Sequence, residues 1–174
     1  MMWGLNTRRG AMTIGLILLL TGAAQAQDDG HESNASLRGP FRFSIVKTCT
    51  DAVIGSTTHF YFNGTISYDG TGFAKLTQRG ILVLPGSTSV LFEETADLTY
   101  FLKPNGSLVQ EGTFVAADRS YTVTGVRMVG QIDAQGTIVM LSGPIPPEQE
   151  MVTAAGGVIS QYFCGASGTA IRMR

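Results

Sequence analysis

The chain has 174 residues, carries 12 basic against 13 acidic side chains, and has a formal charge of −1. Its basic residues are few and unclustered, so the electrostatic footprint of a nucleic-acid-binding protein is absent. The length suits one domain with a core of its own.

In chain order, the first element is a targeting segment over residues 1–26. Arg8 and Arg9 form a positive start, Ala11–Leu20 (AMTIGLILLL) a short apolar core, and Ala24-Gln25-Ala26 a small-residue end. This predicts a signal peptide cleaved after Ala26. The apolar run falls short of the roughly 20 residues a spanning helix needs. The expected location is therefore exported, periplasmic or extracellular, with no membrane insertion after cleavage. Trp3, the single tryptophan, would be lost with the segment, so no indole remains to grip a ligand. Residues 27–39 (QDDGHESNASLRG) lack a hydrophobic period and are predicted to be a flexible leader. The folded domain is expected to span 40–174.

From Pro40 onward the pattern is alternation interrupted by turn chemistry, with no helical period. Phe41–Thr50 places Phe41, Phe43, Ile45, Lys47 and Cys49 on one face. His59–Tyr68 places Phe60, Phe62, Ile66 and Tyr68 together, Phe73–Leu84 places Leu76, Leu82 and Leu84, and Val90–Leu102 places Phe92, Ala96, Leu98, Tyr100 and Leu102. Strands are predicted next over Ser107–Ala116, Ser120–Ile132 and Thr137–Ser142. The loop Gly143–Pro147 precedes shorter segments at Met151–Ala154, Gly157–Cys164 and Thr169–Met173. Asp69-Gly70 and Asn105-Gly106 provide the positive-φ residues that tight hairpins require.

Successive hairpins, each with one apolar face, predict an all-β, antiparallel up-and-down meander of about eight strands. Closing it into a small barrel removes exposed edges; a β-sandwich is the alternative. Cys49 and Cys164 are the two cysteines, and in an exported chain they predict a structural disulfide. That bridge joins the first strand to a near-final one, which become neighbours only when the sheet wraps round. A transmembrane barrel is not expected, because the face opposite the apolar stripe holds Lys75, Arg79, Glu93 and Asp97.

Two charges interrupt the apolar stripes. Lys47 and Glu94 would form an ion pair or line a polar pocket if they point inward. A β-bulge at Glu93-Glu94, or a Lys47 stem snorkelling past the strand end, would return them to water. Phe60, Phe62, Tyr68, Phe73, Phe92, Tyr100, Phe114, Tyr121 and Tyr162 are placed mostly toward one interior, as a filled core or the walls of a ligand cavity. The candidate ligand-binding residues are Lys47, Glu94, Phe62, Tyr68, Phe92, Tyr100 and Tyr121. His31 and His59 lack partners at metal-ligand spacing, no Ser–His–Asp arrangement can be traced, and no cofactor or metal is expected.

The meander rhythm and the closing cysteine pair resemble the small exported calycin or lipocalin-like barrels of bacteria, many of them uncharacterised. The Gly-x-Trp of lipocalins is missing here, so no residue role carries over. The resemblance implies a barrel that holds a small hydrophobic ligand, which is the function expected. Two alternatives stand beside it. One is a barrel enzyme of isomerase or cyclase type using Lys47, Glu94 and the tyrosines. The other is a filled structural barrel that binds a protein partner through Gly143–Pro147 or the leader.

Overall fold

The computed structural model describes residues 29–83 and 89–174. The expected signal segment with its cleavage point after Ala26, and Leu84, lie outside the described residues. A short helix, α1 (Asp29–Ser36), precedes nine strands: β1 (Arg38–Asp51), β2 (Thr57–Asp69), β3 (Phe73–Val83), β4 (Val90–Leu102), β5 (Ser107–Ala116), β6 (Tyr121–Ile132), β7 (Ile138–Ser142), β8 (Gln149–Ala154) and β9 (Gly157–Arg172). Each strand pairs antiparallel with the next through β6–β7, and β9 returns to pair with β1. The meander is therefore a closed barrel, and the sandwich alternative does not apply.

Nine strands fill eight positions. β7 pairs with Val129–Ile132 of β6 and β8 with Tyr121–Thr124, while both lie against β9. They are two halves of one staggered position, separated by the loop that carries Gly143 and the cis Ile145-Pro146 peptide. The two expected terminal segments, Gly157–Cys164 and Thr169–Met173, are one 16-residue strand, β9. Gly165–Gly168 looks like a turn by composition, yet it stays extended because Ile45–Thr48 of β1 pairs along it.

Small residues also shape the wall. Gly64, Gly80, Gly112 and Gly168 stand directly opposite Phe43, Phe92, Leu98 and Ile45 in the register. A Cβ at Gly80 would come within 2.1 Å of the Phe92 ring, and one at Gly168 within 2.6 Å of the Ile45 side chain. Large side chains thus lie across the missing ones, which lets a small barrel coil tightly without overfilling.

The end of the barrel nearest α1 is solid. Phe41, Ile66, Tyr68, Leu102, Leu108 and Val139 are almost fully buried there, and each such apolar side chain contributes roughly 1.5–3 kcal/mol through burial. Residues 34–39, the last part of the expected leader, take part in this closure, and β1 begins at Arg38, two residues before the expected domain start at Pro40. Asn34 and Leu37 are buried, and the Asn34 Oδ1 accepts a hydrogen bond from the Leu102 amide at 2.8 Å. Arg172 donates to the Ser36 carbonyl at 2.8 Å and stacks its guanidinium over the Phe41 ring. Among its described residues, Leu37 is the buried apolar side chain of this segment, and one such residue sets no hydrophobic period.

Outside, charged residues pair across strands: Lys75 with Asp97, Arg79 with Glu93, and Arg127 with Glu111. These pairs share the outer wall with exposed apolar side chains such as Phe73, Leu91 and Met140. At the hairpin between β2 and β3, Asp69 accepts from the amides of Thr71, Gly72 and Phe73. The Thr71 hydroxyl and amide hold its carboxyl down at about 2. Asp133 organises the β6–β7 turn in the same way.

Candidate functional site: a half-hollow barrel

Away from α1 the interior opens into a cavity of about 310 Å³. Aromatic and aliphatic side chains share its walls. The Phe60 and Phe62 rings stack at 5.9 Å, and Phe92 meets Phe62 edge-on at 5.5 Å. Phe114, Tyr121 and Tyr162 add to the lining, as do both cysteines. Cys49 and Cys164 face each other in the β1–β9 register and are disulfide-bonded.

The cavity-facing side of β6 depends on a bulge. Gly112 of β5 pairs with Val126, but Phe114 pairs with Val123, so β6 carries the extra residue. Gly125 takes φ +77° at this point. The inward residues therefore switch from Val126 to Val123 and Tyr121, which an unbroken alternation would have sent outward.

Lys47 and Glu94 both point into this space, but not at each other. The Lys47 ammonium pairs with Glu150 at 2.5 Å, with side chains 15% and 9% exposed. The two belong to β1 and β8, which β9 separates. Lys47 stands opposite Ala166 of β9, and this small residue leaves room for the lysine to reach across. Glu94 is 5% exposed and accepts two hydrogen bonds, from Gln78 Nε2 at 2.6 Å and from the Tyr121 hydroxyl at 2.9 Å. Burial first, and the Glu94 carboxylate second, raise the Tyr121 pKa far above its ordinary value. Tyr121 is thus a fixed neutral donor at physiological pH.

Of the candidate ligand-binding residues, Lys47, Glu94, Phe62, Phe92 and Tyr121 converge on the cavity. Tyr68 and Tyr100 do not, and belong to the solid end. Tyr68 donates to Gln110 Oε1 at 2.8 Å, and burial raises its pKa. The Tyr100 hydroxyl donates to the Leu37 carbonyl and accepts from the Gly70 amide, each at 3.0 Å. Parity placed these two inward correctly but carries no information on height along the barrel axis. Phe73 leaves the interior altogether and is 63% exposed, because the inward residues of β3 are Ala74 and Leu76.

Two polar residues of the site escaped the sequence reading. Gln78 shares parity with Leu76 and Leu82, so it interrupts the β3 stripe just as Glu94 interrupts that of β4. Glu150 precedes the expected start of its short strand at Met151, although it shares parity with Val152 on the inward face. His59 sits on the outer face, where Nδ1 lies 3.1 Å from the Thr48 hydroxyl. No family model matches the chain, and no curated protein or solved structure matches it.

Proposed function

We propose that this chain is an exported binding protein whose barrel holds one small, largely apolar ligand in its hollow half. The observation that carries the reading is the asymmetry of the interior. One end is packed with Phe41, Ile66, Leu102 and Leu108, whereas the other leaves about 310 Å³ lined by aromatic and aliphatic side chains. A barrel filled only for stability would pack both ends to the same density. The volume falls at the lower end of the range for small-molecule sites, and a few placed polar groups in an apolar wall are what such sites use to orient a ligand.

Export is part of the proposal. It is supported by the disulfide, which persists in oxidising compartments, together with the signal-like start of the sequence. The calycin-like assignment rests on architecture alone, a closed eight-position meander.

The test combines native mass spectrometry of the purified protein with titration of the apolar fluorophore N-phenylnaphthylamine. One equivalent of probe should bind, and Val123→Phe, which fills the cavity from β6, should abolish binding without lowering the melting temperature. Absence of stoichiometric binding in the wild-type protein, with no small molecule retained, would overturn the reading.

A further inference from the structure

Each charge that borders the cavity has an opposite charge beside it, with one exception. The Lys47 ammonium is taken by Glu150. Arg127 borders the space, but its guanidinium is held by Glu111 and Glu148 at 3.2 and 2.7 Å. Glu94 meets only neutral donors, the Gln78 amide and the Tyr121 hydroxyl, and no cation pairs with it among the described residues. Among the described residues each of its oxygens accepts one bond, whereas a carboxylate offers about four acceptor sites in all. Acceptor capacity is left over, and Glu94 is itself part of the cavity lining.

The walls reinforce the sign of this site. Phe92 lies two residues before Glu94 on the same face and meets the stacked Phe60 and Phe62 rings edge-on. Aromatic faces attract cations through their quadrupole. A buried carboxylate without a counter-charge is costly, and a cation brought by a ligand would relieve that cost. An anion could use Lys47 only by displacing Glu150, and it would add a third negative group to a cavity that already holds two carboxylates.

We infer that the ligand is a lipophilic ammonium: an apolar body seated against the Phe60, Phe62 and Phe92 rings, with a protonated amine received by Glu94. This rests on the reading of the cavity as a ligand site and narrows it to one chemical class.

The experiment is calorimetric titration at pH 7 of the intact protein with octylamine, octanol and octanoate, which share one body and differ in the head group. Octylamine should bind at least tenfold more tightly than either of the others. Glu94→Gln keeps the shape of the position, removes its charge and turns one acceptor oxygen into an amide donor that a flipped Gln78 amide can meet; it should erase the preference while octanol binds as before. If octanol matches octylamine in the wild-type protein, the ammonium assignment falls and the apolar cavity stands. Tightest binding of octanoate would overturn the assignment in favour of Lys47. An octylamine preference that survives Glu94→Gln would remove Glu94 from the role, and failure of all three to bind would take the cavity reading down as well. The wild-type comparison decides the ligand class even if Glu94→Gln does not fold.

Discussion

The Lys47–Glu150 pair spans β9 and is mostly withdrawn from water, so each partner has the other as its main compensation. Removing one partner of a buried pair typically costs about 3–5 kcal/mol, because the remaining charge is stranded, whereas removing both can be nearly neutral. Lys47→Met and Glu150→Gln should each lower unfolding stability by about that amount in urea. The double variant should recover most of the loss. If the double variant instead shows the sum of the two losses, the pair is not coupled. The inward direction of Lys47 could be read from its parity with Ile45 and Cys49, and that of Glu94 from its parity with Phe92 and Ala96. Neither escape route is taken: the β3–β4 register runs unbroken through Arg79↔Glu93 and Gln78↔Glu94, and Lys47 stays inside. What could not be read was the partner of each. Alternation assigns a face, but the shear of a closed barrel decides which side chains on different strands meet. Glu150 stands two strands from Lys47 and 103 residues away in sequence.

Among the elements, β6 departs most from a simple alternating strand. Val126 and Ile132 are its inward residues on one side of the Thr124–Gly125 bulge, and Val123 and Tyr121 on the other. The sequence segment Ser120–Ile132 therefore shows no single stripe, and the inward placement of Tyr121 followed only from its being aromatic. Gly125 makes the switch of parity sterically feasible. At φ +77° a side chain is strained, and a Cβ there would lie 2.5 Å from the Gln149 carbonyl oxygen, a backbone atom with little freedom to move. Gly125→Ala should therefore cost about 1–3 kcal/mol from backbone conformation alone, with the clash adding to it. Because Gln149 is next to Glu150, the same change should disturb the β8 edge of the cavity and weaken N-phenylnaphthylamine binding. A melting temperature and probe affinity equal to those of the wild type would show that the bulge relocates without loss. The sequence marks β7 and β8 as two short strands, but only closure shows that they share one position. Their loop, Gly143-Pro144-Ile145-Pro146-Pro147, leaves the wall and rejoins it, and Gly143 still borders the cavity.

At the scale of the whole molecule, closure depends on one seam formed by the two ends of the chain. β1 pairs with β9 from Phe41↔Arg172 to Asp51↔Tyr162, and every other neighbouring position in the barrel is linked by a short connection. The architecture was legible because hairpin turns fix the order of a meander and the two cysteines mark which strands must meet. The different packing of the two ends was not legible, since apolar residues of one parity fill a core or line a cavity equally well. The disulfide at this seam closes a separation of 115 residues. In the chain-entropy account, a loop of this size confines the unfolded state by at most about 4–5 kcal/mol. The paired substitution Cys49→Ala with Cys164→Ala should therefore lower stability by several kcal/mol, read as a fall in melting temperature and in urea midpoint. The cavity is affected too, because both cysteines line it and the seam lies beside Lys47. Probe affinity at a temperature where the variant is still folded should fall less than stability does, since Phe62, Phe92 and Glu94 are carried by β2 and β4 on the other side of β1. A variant as stable as the wild type would mean that the eleven register pairs between β1 and β9 hold the seam without covalent help. A variant that loses probe binding while remaining folded would instead place the cystine among the groups that shape the ligand site.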